Sequence, residues 1–296
     1  MSNTFVIFIQ QLINGINLGS IYALVALGYT MVYGIAKLIN FAHGEIIMVG
    51  SYVVFVCVSL VGLPIWLSII IAIVACAILG VIIEKIAYKP LRNASRISLL
   101  ITAIGVSFLL QNLAQFIFTA TPQKFPSLVS LPPLVIGSIQ INANYYLTFV
   151  VSVILMIFLS LFVAKTKTGK AMRAVSEDSG AAYLMGISID KTISITFAIG
   201  SALAAVAGIL YSSSYLMIRP TMGSTLGLKA FVAAVIGGIG IVPGAVLGGF
   251  ALGMIESLTI AYISTQFSDA IVYGLLIVML VFKPAGILGK SKKEKV

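Results

Sequence analysis

Residues 15–52 read GINLGSIYALVALGYTMVYGIAKLINFAHGEIIMVGSY, and the fold turns on how this stretch is read. It is apolar enough for a bilayer. Yet it carries Asn17, Lys37, Asn40, His43 and Glu45, and five glycines between Gly15 and Gly44. His43 is the only histidine in the chain. Backbone facing lipid must satisfy its hydrogen bonds internally. A polar, glycine-broken segment at membrane depth therefore belongs inside protein or beside a water-filled path. The rest of the chain then holds this segment in place and offers a surface on which another protein can push.

The composition agrees. The 296 residues are 60% hydrophobic and 9% charged, with a mean hydropathy of +1.15. A soluble domain carries roughly 25% charged residues, so this chain is read as a polytopic membrane protein. The formal charge of +10 could suggest nucleic acid. The basic residues instead fall in short loops and the C-terminal tail, which is the positive-inside pattern and argues for no nucleic acid. Cys57 and Cys76 lie in apolar runs and read as packing residues, with neither a disulfide framework nor metal-ligand spacing. The N-terminus lacks the basic start of a cleaved signal, so the first apolar segment is expected to stay.

A spanning helix needs about 20 apolar residues. Phe5–Tyr33 exceeds one straight span, and contains Gly15 and Gly19 at GxxxG spacing. It reads as one long, kinkable helix, or as a re-entrant piece followed by a helix. Further spans are expected at Glu45–Val61, Ile65–Ile83, Ile97–Phe118, Tyr145–Ala164 and Ile193–Tyr211. The glycine-rich stretch 226–263 divides into a short span, a break around Gly237–Gly244, and a span from about Ala245 to Ile263. Ala270–Phe282 is the last. The expectation is an all-α, single-domain transmembrane bundle over 1–296 with about 8–10 spans, most simply nine, and glycine-broken helices. Loops 84–96 and 165–191 and the tail 283–296 are basic and are placed in the cytoplasm. The loop 119–144 carries one charge, Lys124, and is placed outside. Broken apolar pairs at both ends, 15–61 and 223–263, fit either a substrate site at the bilayer midplane or close helix packing.

Chemistry at a catalytic centre is poorly supported. Such a centre needs two or three partners in reach of one another; there is one histidine, and no two of Glu45, Glu84, Glu256 and Asp269 are spaced to share a helix face. No metal site or cofactor is expected. Gly169-Lys170 lacks the rest of a phosphate-binding loop, so ATP, if used, binds another subunit. Candidates for a translocation path are Asn17, Tyr22, Asn40, His43, Glu45, Gln111, Asn112 and Glu256. For His43 a structural role at the helix break competes with solute binding, and for Glu45 an N-terminal capping role does so. The loop segment 174–187, AVSEDSGAAYLMGI, reads as a short helix with acidic residues at its start and its end near Gly186. It is either an ordinary solvated helix or a knob for a groove on another protein.

Taken together, 15–52, TGKAMRAVSEDSGAAYLMGISIDK (168–191), FAIGSALAAVAGIL (197–210), 226–257 and FKPAGILGK (282–290) resemble the LivH-type permeases. These are membrane subunits of ABC importers for branched-chain amino acids. The resemblance runs through nearly the whole chain in order. It implies a subunit in the bacterial cytoplasmic membrane with its C-terminus inside. Its implied partners are a second, related permease, two cytoplasmic ATPase subunits, and an extracytoplasmic protein that delivers Leu, Ile or Val. It implies no enzyme activity in this chain. It further implies that Arg173, Glu177, Asp178, Ala181, Ala182 and Gly186 belong to a loop that couples to the ATPases, with Gly180 where such loops usually carry Glu. Importers of urea, amides or other amino acids share the 39–45 pattern and stay open. An ATP-independent transporter would need a coupling carboxylate, for which Glu256 is the candidate.

Overall fold

The computed structural model describes residues 3–37, 40–92, 94–129, 131–137 and 139–289. Eight of its helices are long and apolar enough to cross a membrane, and a shorter apolar helix, Met222–Gly237, makes a ninth segment. The molecule is an all-α helical membrane bundle.

Helix α1 (Asn3–Ala36) is one unbroken rod of 34 residues, about 51 Å at 1.5 Å per residue. Gly15 and Gly19 do not interrupt it. They let it lie against α10 (Val242–Tyr262): a Cβ on Gly19 would strike the backbone of Phe250, and one on Gly253 would strike Gly19. This is small-residue packing, the main way helices associate closely in lipid. The breaks fall elsewhere. The first is between α1 and α2 (His43–Phe55), where Lys37 takes a left-handed φ of 56°. The second is between α9 (Met222–Gly237) and α10, where Gly238 and Gly240 take φ of 109° and 92°.

Helix α8 (Ile189–Tyr215) supplies the other close-packing face. Gly208 meets the Ile47 carbonyl of α2, Ala205 meets Gly50, and Ser201 meets Gly80 of α3 (Ile65–Ile83). Helices α1, α2, α8, α9 and α10 form the interior. By contrast α4 (Arg96–Phe118), α5 (Ala143–Lys165) and α11 (Thr265–Phe282) lie at the periphery. The most apolar stretch of α1 is 83% buried and that of α11 only 11%. A soluble protein could not expose so much apolar surface; a bilayer or a neighbouring subunit can cover it.

Each end of the bundle is stitched separately. At one end β1 (Gln123–Lys124) pairs with β4 (Met217–Ile218), joining the two loops poor in Lys and Arg, and β2 (Leu134–Ile136) and β3 (Ile139–Ile141) form a hairpin. At the other end the loop after α3 holds the start of α8. Lys89 reaches Asp190 at 2.6 Å, and Arg92 binds both Asp190 and Glu84. There α3 runs on as a π-turn over Glu84–Tyr88 and a further turn to Leu91, so part of the expected loop is helical. Also at this basic end, Ile287 and Leu288 donate backbone N–H groups to Ile236 and Gly237, docking the start of the tail on the α9–α10 elbow. The tail lysines from 290 onward lie outside the described residues.

Candidate functional site at the α1–α2 break

After Ala36 the chain turns and re-enters the bundle. Asn40 is buried, and its side-chain oxygen accepts from the Tyr88 hydroxyl at 2.8 Å. Tyr88 stands on the π-turn, a device that recurs at functional sites. The Asn40 carbonyl accepts from the His43 N–H, which launches α2. The His43 imidazole then wedges between α1 and α8. Added Cβ atoms at Gly28 and Gly200 would both meet it, the first in collision, and its ring lies edge-on to Tyr29 at 4.7 Å. Gly28 is eight residues before the end of α1, about 12 Å back along the helix. The chain has thus climbed back to membrane depth before α2 begins. This geometry favours the structural role for His43.

Glu45 sits in the first turn of α2 and is fully buried. It is not the cap, since α2 has no side-chain cap bond. One carboxylate oxygen accepts from Ser107 of α4 at 3.0 Å. The other faces Gly223, and among the described residues it has no hydrogen-bond partner. Gly44 meets Gly223 and Gly227 backbone to backbone. The N-terminal turns of α2 and α9 therefore touch, and the positive ends of their dipoles favour a negative charge here.

A second cluster lies farther from the basic end. Glu256 of α10 accepts from the Tyr22 hydroxyl of α1 at 2.7 Å and pairs with Lys229 of α9 at 2.6 Å. Lys229 also reaches Asp269 of α11 at 2.7 Å. The carboxylate that a cation-coupled transporter would use is thus held on both oxygens. Sequence reading sought a cation on Glu256's own helix and missed Lys229. The signal was present: Lys229 is the only charged residue between Met222 and Met254, and buried charges in membranes pair.

Asn17 is buried with its oxygen unpartnered among the described residues. It borders a cavity of about 200 Å³ with Gln11, Asn14, Tyr145, Tyr215 and Ser257, apart from the break. Gln111 and Asn112 are not brought to either cluster. Asn112 is exposed on α4, and its amide donates to the Phe108 carbonyl of its own helix at 2.7 Å.

On the basic end, α6 (Lys167–Glu177) is tied back by Arg173, which donates to the Ala164 carbonyl at 3.0 Å. Glu177 ends α6 and does not begin the next helix, contrary to the expectation from sequence. Asp178 alone caps α7 (Ser179–Leu184), accepting from the Ala181 N–H at 2.9 Å. Gly186, at φ 81°, closes it: the Ile187 N–H returns to the Ala182 carbonyl. Ala182 anchors the turn in the protein, while Tyr183, Leu184 and Met185 stand 69–85% exposed. Three adjacent large apolar side chains on a polar loop form a knob that stands exposed among the described residues.

Broken helices meeting around buried ionisable groups inside an apolar bundle define a transport protein of the membrane. The family described as the permease component of the branched-chain amino acid transport system matches residues 11–280. The chain is 44% identical, over the full length of both proteins, to the high-affinity branched-chain amino acid transport system permease protein LivH of Salmonella typhimurium. It is 42% identical to BraD of Pseudomonas aeruginosa, named for the same system, over 98% of each chain. It is 33% identical to a probable LivH of Methanocaldococcus jannaschii over 93% of this chain and 90% of that one. The chain belongs to the branched-chain amino acid permease family; it is a transport subunit.

Proposed function

We propose that this chain is the membrane-spanning subunit of an ATP-driven importer that carries Leu, Ile and Val, delivered by an extracytoplasmic binding protein. Its end-to-end kinship with LivH and BraD is the observation that carries this reading. The protein works in the bacterial cytoplasmic membrane beside a second, related permease. Two cytoplasmic ATPase subunits drive it. The basic end, including the C-terminus, faces the cytoplasm.

The α7 knob is where force enters. Tyr183, Leu184 and Met185 sit in an apolar groove on an ATPase subunit, and Ala182 transmits the push to the end of α8. Arg173 and the Asp178 cap hold the knob at a fixed angle. On ATP binding the α6–α7 pair moves with the ATPase, and the α2 and α9 ends shift relative to α1.

The test is uptake of labelled leucine in a strain without its own branched-chain importers, supplied with this chain and its partner subunits. Leu184→Asp or Gly186→Pro is expected to insert in the membrane at the parent level and to lose uptake at least about tenfold, since a charge in the groove is left desolvated and unpaired. Full uptake by both variants contradicts the coupling role. No leucine uptake by the unaltered, assembled complex contradicts the functional reading.

A further inference from the structure

Beside the α1–α2 break lies a crevice of about 230 Å³, open on the side of the bundle between α4 and α9. Its walls come from the ring of Tyr29, from Phe41 on the irregular segment, from Ile104 and Phe108 on α4, and from Leu228 on α9. Three hydroxyls, those of Tyr29, Ser107 and Ser224, are its polar groups. We propose that this crevice is a subsite of the translocation path that takes the branched aliphatic chain and the ammonium group of the passing amino acid.

Three observations converge on it. The first is the backbone. Phe41 lies in the non-helical connection that returns to membrane depth, and such backbone is tolerated where protein buries it or a cavity adjoins it. The second is the direction of the hydroxyl protons. Ser107 donates to Glu45 at 3.0 Å, and Ser224 donates to the Thr221 carbonyl at 3.0 Å. Both therefore present lone pairs to the crevice. The two serines thus offer acceptors to the crevice, which suits an ammonium. The third is Glu45 itself. Its carboxylate is fully buried directly behind Ser107 and keeps one oxygen without a hydrogen-bond partner among the described residues. Negative charge behind a lone-pair surface raises the attraction for a cationic amine.

The walls decide what accompanies that amine. Apart from the three hydroxyls they are aromatic and aliphatic, so a charged or amide-bearing side chain would lose most of its hydration without replacement. An aliphatic chain enters at no such cost. The amino acid's carboxylate is left at the open side, away from Glu45. Selection here is by shape and is shallow, because one methylene changes discrimination by only about tenfold to a few hundredfold. A path subsite gains from that: the cargo must leave again.

This assignment rests on the importer reading above, and the experiment separates the two. The parent is the assembled importer in lipid nanodiscs with both native cysteines, Cys57 and Cys76, replaced by alanine; both are free and buried. Ser224→Cys is compared with Ile78→Cys and Ile277→Cys, which sit on the exposed apolar faces of α3 and α11. A charged methanethiosulfonate, which reacts only where water reaches, is expected to label Ser224→Cys at least about tenfold faster than either control and to block leucine transport. Labelling no faster than the controls overturns the crevice as part of a wet path. In a second arm, Leu228→Trp fills the crevice from its exposed rim. With saturating cargo-loaded binding protein, turnover is expected to fall about tenfold more for leucine than for valine. An equal loss, or none, overturns the side-chain assignment. A parent that imports no leucine overturns the functional reading, while the labelling still decides whether the crevice is wet.

Discussion

Two buried polar clusters sit in the same bundle, and they are built differently. Around Glu256 every strong group is matched: Tyr22 and Lys229 take its two oxygens, and Lys229 also holds Asp269. Four helices meet there, one group from each. Around Glu45 the matching is incomplete, with Ser107 on one oxygen and the backbone of Gly223 facing the other. Two helix starts and an irregular connection meet there instead of helix middles. A satisfied network is a fastener that fixes α9 and α11 to α1 and α10. An unsatisfied one, beside a crevice, has capacity left for a ligand.

The largest effect should come from breaking the fastener on one side only. Lys229→Met leaves Glu256 buried without its cation and should cost about 3–5 kcal/mol, read as a large drop in the thermal midpoint of the purified protein. Lys229→Met with Glu256→Gln keeps an acceptor for Tyr22 and removes both charges. It should recover most of that loss. A double variant as unstable as the single one would show that the cluster is more than a charge pair.

Next in size is the wedge at His43. Gly28→Ala places a methyl group in the imidazole and should destabilise by about 1–3 kcal/mol, the usual cost of overpacking. His43→Ala in the same chain should relieve much of it, measured again as a thermal midpoint. No relief would place the strain elsewhere on Gly28. The smallest effect is expected at Asn112→Ala. The residue is exposed and its amide serves only its own helix, so stability should change by less than about 0.5 kcal/mol, and leucine uptake should match the parent.

Much of the bundle was legible. Run length and basic loops located the spans, because the bilayer imposes both. The short α9 and its elbow with α10 were readable from Gly237, Gly238, Gly240 and Pro243. The breaks at the other end were harder. Gly15 and Gly19 look like weak points in an isolated helix, yet they serve contact with α10, and nothing in the sequence shows which helix lies opposite. The same limit hid the Lys229–Glu256 pair, whose partners are 27 residues apart on different helices. Asn40, His43 and Glu45 stood out as polar residues in an apolar run; all three are buried at the break, with side chains turned to different partners. Gln111 and Asn112 stood out equally, but α4 scatters apolar and polar residues around its axis, so its pattern could not say which way they point. In the loop, Ala181, Ala182 and Gly186 marked the short helix, whereas the exposed Tyr183–Met185 edge appeared only once Ala182 was seen to be the buried anchor.

The contrast between fastener and site is tested most directly by leucine uptake through the assembled importer, with the amount of each variant in the membrane measured alongside. Glu45→Gln keeps the size and the Ser107 contact and removes only the charge. It should reach the membrane at the parent level and lose uptake about tenfold or more. The double variant Lys229→Met/Glu256→Gln should retain uptake within about threefold of the parent. Parent-level uptake by Glu45→Gln, or loss of uptake confined to the properly inserted double variant, would contradict the assignment of the two clusters.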